Sequence, residues 1–384
     1  MTGVRSQIRS WNCIPGLFLH LGGSIMTKDE ILYTTTEEQV EKLKSQKLVI
    51  TDEEYAKLSL ELFGYSNLIK SYREPYVITS GKKKIFRSGV TFNQICSLYI
   101  LDKNLRNAVM ASMQDLEEHI KEVAADVVAK SFGVYQEDYL RFSNYRDKKK
   151  RTYRFTLRGI LETMRKTLET DKNPIYHYKT EHGIVPPWVL FKSIYFSTIV
   201  NFIDLLKPSQ QREMAERLYV CKDLKLSIES CRILMMDTLF ICLDYRNIAA
   251  HGGRIYNYNN KNEVRAEKIF GSDELTSLQG FSKLLFLLRL FKYQNPYERL
   301  KNVLERELNR HCSEYPQDVT YLGKILNMNI ISQNIVYVTE KSNKYHANPY
   351  CSGIKDSREI QLEEARDMGY QPCKRCAKDI VPIV

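Results

Sequence analysis

Long apolar runs are what this sequence lacks first. Nowhere in its 384 residues is there a stretch close to the ~18 apolar residues that a membrane-spanning helix needs. A disulfide framework is missing too. The nine cysteines are odd in number and scattered, which argues against a small secreted scaffold and suits a reducing cytoplasm. There is also no convincing signal peptide. Arg5 and Arg9 precede the apolar Ile14–Leu21, but that segment is short, holds Pro15 and His20, and has no small-residue cleavage site. Residues 1–30 are therefore expected to form a disordered extension, with Met26 as an alternative start. Acidic residues are in deficit. The 46 Asp and Glu face 57 Lys and Arg, a net charge of +11 that favours polyanionic partners without selecting one.

What the chain has in quantity is helical periodicity. Ile95, Leu98, Leu101, Leu105, Val109, Met113, Leu116 and Ile120 keep helical spacing and predict one or two long helices over 91–132. Thr36-Glu37-Glu38-Gln39 and Thr51-Asp52-Glu53-Glu54 both fit the capping box and announce two earlier helices. Residues 71–91, with Pro75, Gly81, Gly89 and Lys82–Lys84, read as a loop or short hairpin. Lys172–Pro187 reads as a loop, followed by a helix whose Trp188-Val189-Leu190-Phe191 start looks like core anchoring. Segments 209–226 and 275–310 add amphipathic helices. Cys96, Cys221, Cys231, Cys242 and Cys312 sit in helical context and are expected to be plain core or half-buried thiols. Helices dominate from 36 to 325, which predicts an all-α domain.

One helical segment, starting near Ser227, ends in Asp244-Tyr245-Arg246-Asn247-Ile248-Ala249-Ala250-His251-Gly252-Gly253. It is mostly apolar until Asp244, Arg246, Asn247 and His251 interrupt it. Gly252-Gly253 is a helix stop, because glycine adopts positive φ without steric cost. His251 then falls in the last turn, where the helix dipole favours a cation. An Arg and a His at an opened helix end suit a phosphate. The plainer reading makes His251 a cap and Arg246 half of an ion pair. A second copy of the spacing, Arg306 to His311, lies in a charged segment with surface-helix character and is read as a decoy.

Arg246-Asn247-Ile248-Ala249-Ala250-His251 resembles the R-N-x-x-x-H form of the motif of HEPN ribonucleases. The blocks around it resemble the Abi_2 branch of abortive-infection proteins, the AbiD and AbiF kind. Those blocks are Thr36–Lys44, Phe63–Ile69, Phe92–Arg106 with Leu98-Tyr99, Asp102 and Leu105-Arg106, then Leu116-Glu117, and Val185–Leu190. The resemblance covers roughly residues 31–330. It implies a mainly α, HEPN-like helical bundle and a metal-independent endoribonuclease that acts as a toxin in phage defence. RNA would be cleaved by 2′-OH attack to 2′,3′-cyclic phosphate and 5′-OH ends. The roles implied are acid or base for His251, phosphorane stabilisation for Arg246 and orientation for Asn247. The supporting residues would be Glu117 and Asp244. Glu117 also reads as a surface residue paired with Lys121 at i+4. A homodimer with composite sites and a restraining RNA or protein antitoxin are implied as partners. Here Gly253 stands where many nucleotidyltransferase-paired relatives carry Tyr, which removes that modification site, with Tyr256 nearby. The same fold without catalysis would be an RNA-binding sensor or scaffold.

Residues 141–166 are the most basic segment. Lys148, Lys149, Lys150, Arg151 and Arg154 with Tyr153 interleaved suit single-stranded RNA, though such a run also reads as a solvated face. From about residue 331 the pattern changes. Asn334–Thr339 reads as a strand, and a short helix carries Leu362, Ala365 and Met368. His346, Cys351, Cys373 and Cys376 form an H-x4-C…C-x2-C set that matches structural zinc, against an alternative of reduced thiols. The segment resembles Ada-like metal modules. The expected division is 1–30 extension, 31–330 helical domain and 331–384 small α+β zinc-binding module.

Overall fold

In a computed structural model of the chain, the described residues are 33–80, 83–261, 264–265, 279–328, 330, 335–349, 351, 354 and 356–377. Residues 1–30 and Cys13 lie outside them. The first helices are α1 (Thr36–Ser45) and α2 (Glu53–Phe63), followed by a π-helical turn at Ser66–Lys70. Strands β1 (Val77–Ser80) and β2 (Lys83–Phe86) pair antiparallel and form a short hairpin, one of the two forms expected over 71–91. One continuous α3 (Phe92–Phe132) then spans about 60 Å at 1.5 Å per residue. Its buried face, Ile95, Leu98, Leu101, Leu105, Val109, Met113, Leu116 and Ile120, is the predicted stripe. Each such side chain contributes about 2 kcal/mol by leaving water.

Both N-terminal caps fall at positions other than those read from sequence. Thr35, not Thr36, caps α1, in a capping box with Glu38. A Glu carboxylate is a stronger acceptor than the Gln39 amide, which favours the earlier register. Asp52, not Thr51, caps α2, in keeping with the ranking of Asp over Thr at this position.

The middle of the chain supplies α4 (Gln136–Tyr139), α5 (Leu157–Leu168), α6 (Ile175–His182), α7 (Pro187–Leu190), α8 (Phe196–Leu205) and α9 (Pro208–Leu218). Helix α6 lies inside the stretch read as a loop. Pro174 precedes its first residue and Gly183 ends it at φ 70°, so these residues bound a helix and do not interrupt one. Trp188 is likewise no core anchor. It is 37% exposed, while Val189, Leu190 and Phe191 bury beside it. Helix α10 (Ile228–Ala250) starts where expected, with the Ser227 side chain capping the Ser230 N–H. After it come α11 (Gly280–Arg289), α12 (Asn295–Glu314) and α13 (Val319–Leu326). Helix α3 packs along α10 and α12, and one continuous apolar core runs through these helices.

The C-terminal residues form a second, separate core around Val336, Val338, Tyr345, Ile360 and Ala365. Strands β3 (Ile335–Val338), β4 (Lys344–His346), β5 (Arg358–Gln361) and β6 (Gln371–Pro372) make a sheet ordered β5-β3-β4-β6, with α14 (Leu362–Asp367) beside it. The chain is thus mainly helical with a small α+β region at its end. Met368, expected on the helix, follows α14 and is 53% exposed.

Candidate functional site

Helix α10 closes with both hydrogen bonds of a Schellman turn. The Gly253 N–H donates to Ile248 O at 2.9 Å and the Gly252 N–H to Ala249 O at 3.2 Å. Gly252 takes φ +71°, and a Cβ on Gly253 would stand 2.7 Å from Ile248 Cγ2. Both glycines are needed for this turn, which leaves His251 exposed at the C-cap.

The segment beyond the turn is clamped from three sides. The fully buried Asp102 of α3 accepts the backbone N–H groups of Ile255 and Tyr256 on one oxygen, each at 2.8 Å. Its other oxygen accepts from the Tyr72 hydroxyl at 2.5 Å and the Arg106 guanidinium at 3.0 Å. Burial pushes this carboxyl above its ordinary range, against the pull of those donors. Arg254 donates to Ser71 O at 2.6 Å, beside the π-helical turn. Asp244 accepts from Tyr258 Oη and Asn260 Nδ2. It therefore ties the following loop to α10, and no hydrogen bond joins it to His251. Tyr256 is fully buried, so its hydroxyl is not presented for modification.

Arg246, Asn247 and His251 contrast with these neighbours. None of the three side chains has a hydrogen-bond or ion-pair partner among the described residues. Arg246 is half-buried and lines a cleft of about 660 Å³ together with Glu117, Trp188 and Lys192. Glu117 pairs with Lys121 at 2.7 Å, the i+4 contact foreseen as its surface role, and also borders the Arg246 cleft. His251 is not among the residues lining that cleft. On a regular helix the two positions stand about 140° apart.

The decoy copy is buried where a surface helix was expected. Arg306 is exposed and pairs with Glu307 at 3.0 Å, but His311 is wholly buried. Its Nδ1 meets Ser97 Oγ and its Nε2 meets Asp318, both at 2.9 Å. Asp318 also accepts from Tyr76 Oη at 2.6 Å and Gln94 Nε2 at 3.0 Å. The correction has a simple cause. Arg306 faces outward, whereas Leu304, Glu307, Leu308 and His311 lie on the core-facing side, with Arg310 between them paired to Glu307 at 2.9 Å.

The basic segment divides in two. Lys148 and Lys150 both donate to Asp204, at 2.7 and 2.6 Å, and Arg146 donates to the Asp204 and Leu206 carbonyls. Burial would raise the Asp204 carboxyl, but the two lysine hydrogen bonds outweigh it and hold it below its ordinary value. Lys149, Arg151, Tyr153 and Arg154 are exposed. Tyr153 donates to Glu162, and Arg154 stacks 4.4 Å over the Phe155 ring.

In the C-terminal unit the ligand atoms of His346, Cys351, Cys373 and Cys376 lie within 4.8 Å of one another. His346 Nδ1 is 3.4 Å from Cys376 Sγ, and the Cys351 and Cys373 sulfurs are 4.0 Å apart. A tetrahedral ion with bonds of about 2.3 Å to sulfur needs ligands about 3.8 Å apart, so the set fits one metal ion. Burial would raise the Cys373 thiol, yet the N–H groups of Arg375 and Cys376 hold it below its ordinary value, as a knuckle does for a thiolate. By contrast, burial pushes the Cys96, Cys242 and Cys312 thiols up to about 12, as befits plain core cysteines.

Asp102, Tyr72, Arg106 and Trp188 carry no site signal of their own in the sequence. In the sequence Asp102 and Arg106 belong to the Phe92–Arg106 block, and Trp188 to the Val185–Leu190 block as well as to an expected core anchor. Apart from the i+4 pair of Asp102 and Arg106, the contacts of this clamp join residues 30 to 154 positions apart, so local spacing carries no trace of them. Among the described residues no helix is long and apolar enough to cross a membrane. No curated protein and no solved structure matches the chain. A family model described as Abi-like protein matches residues 59–257, about half of the 384, and spans the Asp102 clamp, the cleft and the whole Arg246–Tyr256 stretch. The chain belongs to the Abi-like protein family, a membership that points to abortive-infection phage defence.

Proposed function

We propose that this protein is a HEPN-type endoribonuclease, a toxin of phage defence that acts on RNA without a metal ion. One observation supports this most: Arg246, Asn247 and His251 keep unengaged side chains on a rigidly clamped helix end. Arg246 and Asn247 are half-buried and His251 is exposed at the same helix end, so all three side chains are open to a ligand. In the reaction a base takes the ribose 2′-O–H proton and O2′ bonds to phosphorus. The P–O5′ bond then breaks, and an acid protonates the leaving O5′. No water enters, and the products carry 2′,3′-cyclic phosphate and 5′-OH ends. His251 serves as acid or base, Arg246 neutralises charge on the phosphorane and Asn247 orients the phosphate or the imidazole. Asp244 supports the site by holding the loop beyond the turn, and Glu117 by bordering the Arg246 cleft.

Two steps need two proton-transfer groups, and within one chain His251 stands apart from the Arg246 cleft. A homodimer that brings two motifs together meets both conditions. Lys149, Arg151 and Arg154, with Tyr153, are the side chains we assign to RNA, whereas Lys148 and Lys150 act through Asp204 to fix the segment. A restraining RNA or protein antitoxin and a cytoplasmic site of action complete the reading. Induced expression tests it in the cell. Wild type should arrest growth with fragmented RNA, while His251→Ala should do neither at equal protein level. Arrest by both variants would remove His251 from the mechanism.

The separation of this protein's two cores supports assigning residues 331–384 to a module with a structural zinc ion on His346, Cys351, Cys373 and Cys376. We expect about one zinc per chain by elemental analysis. Cys376→Ser should lose it and become protease-sensitive after residue 330, with RNA cleavage retained.

A further inference from the structure

The Arg246 cleft has a second wall with its own chemistry. Helix α3 lines it at four-residue spacing with Gln114, Glu118 and Glu122. All three are exposed and none has a partner among the described residues. Facing them is Trp188, more than a third exposed in a stretch whose next three residues are buried. Arg246 and Lys192 add positive charge at the same opening. An indole face, free carboxylates and cations in about 660 Å³ form a cleft in the size range of nucleotide-sized ligands.

The carboxylates choose among bases. Guanine presents its N1–H and 2-amino group side by side, two donors that one carboxylate accepts together. Adenine and cytosine place an acceptor beside their donor, which a carboxylate repels, and uracil flanks its single donor with two acceptors. We propose that this cleft holds an unstacked guanine of single-stranded RNA. Its ring lies on Trp188, its Watson–Crick edge meets Glu118 or Glu122, and its neighbouring phosphate meets Arg246. The assignment rests on the ribonuclease reading for the identity of that phosphate and deepens it into a base preference.

The chain has two tryptophans, so Trp11→Phe leaves Trp188 as the sole indole reporter. His251→Ala in the same chain stops turnover, and the probes are 3′-GMP, 3′-AMP, 3′-CMP and 3′-UMP. GMP should quench Trp188 fluorescence saturably at a concentration about tenfold lower than the other three. Glu118→Gln with Glu122→Gln should shrink that gap to about threefold or less at unchanged circular dichroism. Guanosine without its phosphate should bind several-fold more weakly than GMP, and Arg246→Ala should abolish that difference. Equal quenching by all four nucleotides would overturn the guanine assignment, and no saturable quenching would overturn the base site altogether. If Trp188→Ala instead dissolves a dimer and no nucleotide quenches, the cleft belongs to contacts between copies and the proposal falls. Because binding is read in an inactive chain, its failure and the failure of RNA cleavage are separate results.

Discussion

Arg246–His251 and Arg306–His311 share one spacing near the C-terminal ends of two helices that pack on α3, yet they come to opposite ends. In the second copy the histidine is wholly buried and held by Ser97 and Asp318, and Asp318 is held in turn by Tyr76 and Gln94. In the first the backbone around the motif is fastened by the Schellman turn and by Asp102, while Arg246, Asn247 and His251 stay unengaged. The difference teaches how to tell a site from a strut. Polar groups that satisfy one another hold a fold together, and polar groups held still without a protein partner are open to a ligand.

The comparison breaks most sharply at the two histidines. His251→Ala should lower RNA cleavage by about 10²–10⁴-fold while thermal unfolding stays within about two degrees, since that side chain has no partner among the described residues. His311→Ala should do the reverse. It leaves Asp318 short of a buried partner and should cost roughly 3 kcal/mol of stability, read by denaturant unfolding, with cleavage per folded molecule retained. If His311→Ala lost cleavage at full stability, the two copies would exchange roles.

Asp102→Asn sharpens the comparison from the scaffold side. The amide keeps the shape but loses the charge on Arg106 and offers its N–H₂ group where acceptors are needed. It should cost about 2 kcal/mol of stability and lower cleavage by about tenfold, with RNA affinity little changed. The smallest effect belongs to Asp204. Its folded-state pKa is depressed, so its contribution is full above the ordinary carboxylate value of about 3.9 and is lost as pH falls through the folded value. Asp204→Asn should therefore cost about 1 kcal/mol at pH 7, a difference from wild type that narrows below pH 4.

Much of this was legible in the chain because it is written in local periods. The α3 stripe, the start of α10 near Ser227, the Gly252-Gly253 stop and the break in helical pattern over 71–91 all follow from spacing or backbone preference. The convergence of His346, Cys351, Cys373 and Cys376 was legible through ligand chemistry. What escaped depends on distant partners. Nothing beside Lys148 and Lys150 announces Asp204, which takes them out of the exposed basic surface. Nothing near Asp102 announces Ile255 and Tyr256, and nothing near Trp188 says that its indole lies open against Arg246. His311 looked like part of a charged surface because its neighbours are charged, although a helix buries one face whatever the other carries.

The central claim is that His251 performs metal-free transphosphorylation. The most direct test incubates purified wild type and His251→Ala with mixed RNA in excess EDTA and examines the new ends. Wild type alone should generate 2′,3′-cyclic phosphate and 5′-OH termini. Equal cleavage by both proteins, or 5′-phosphate ends from wild type, would contradict the account.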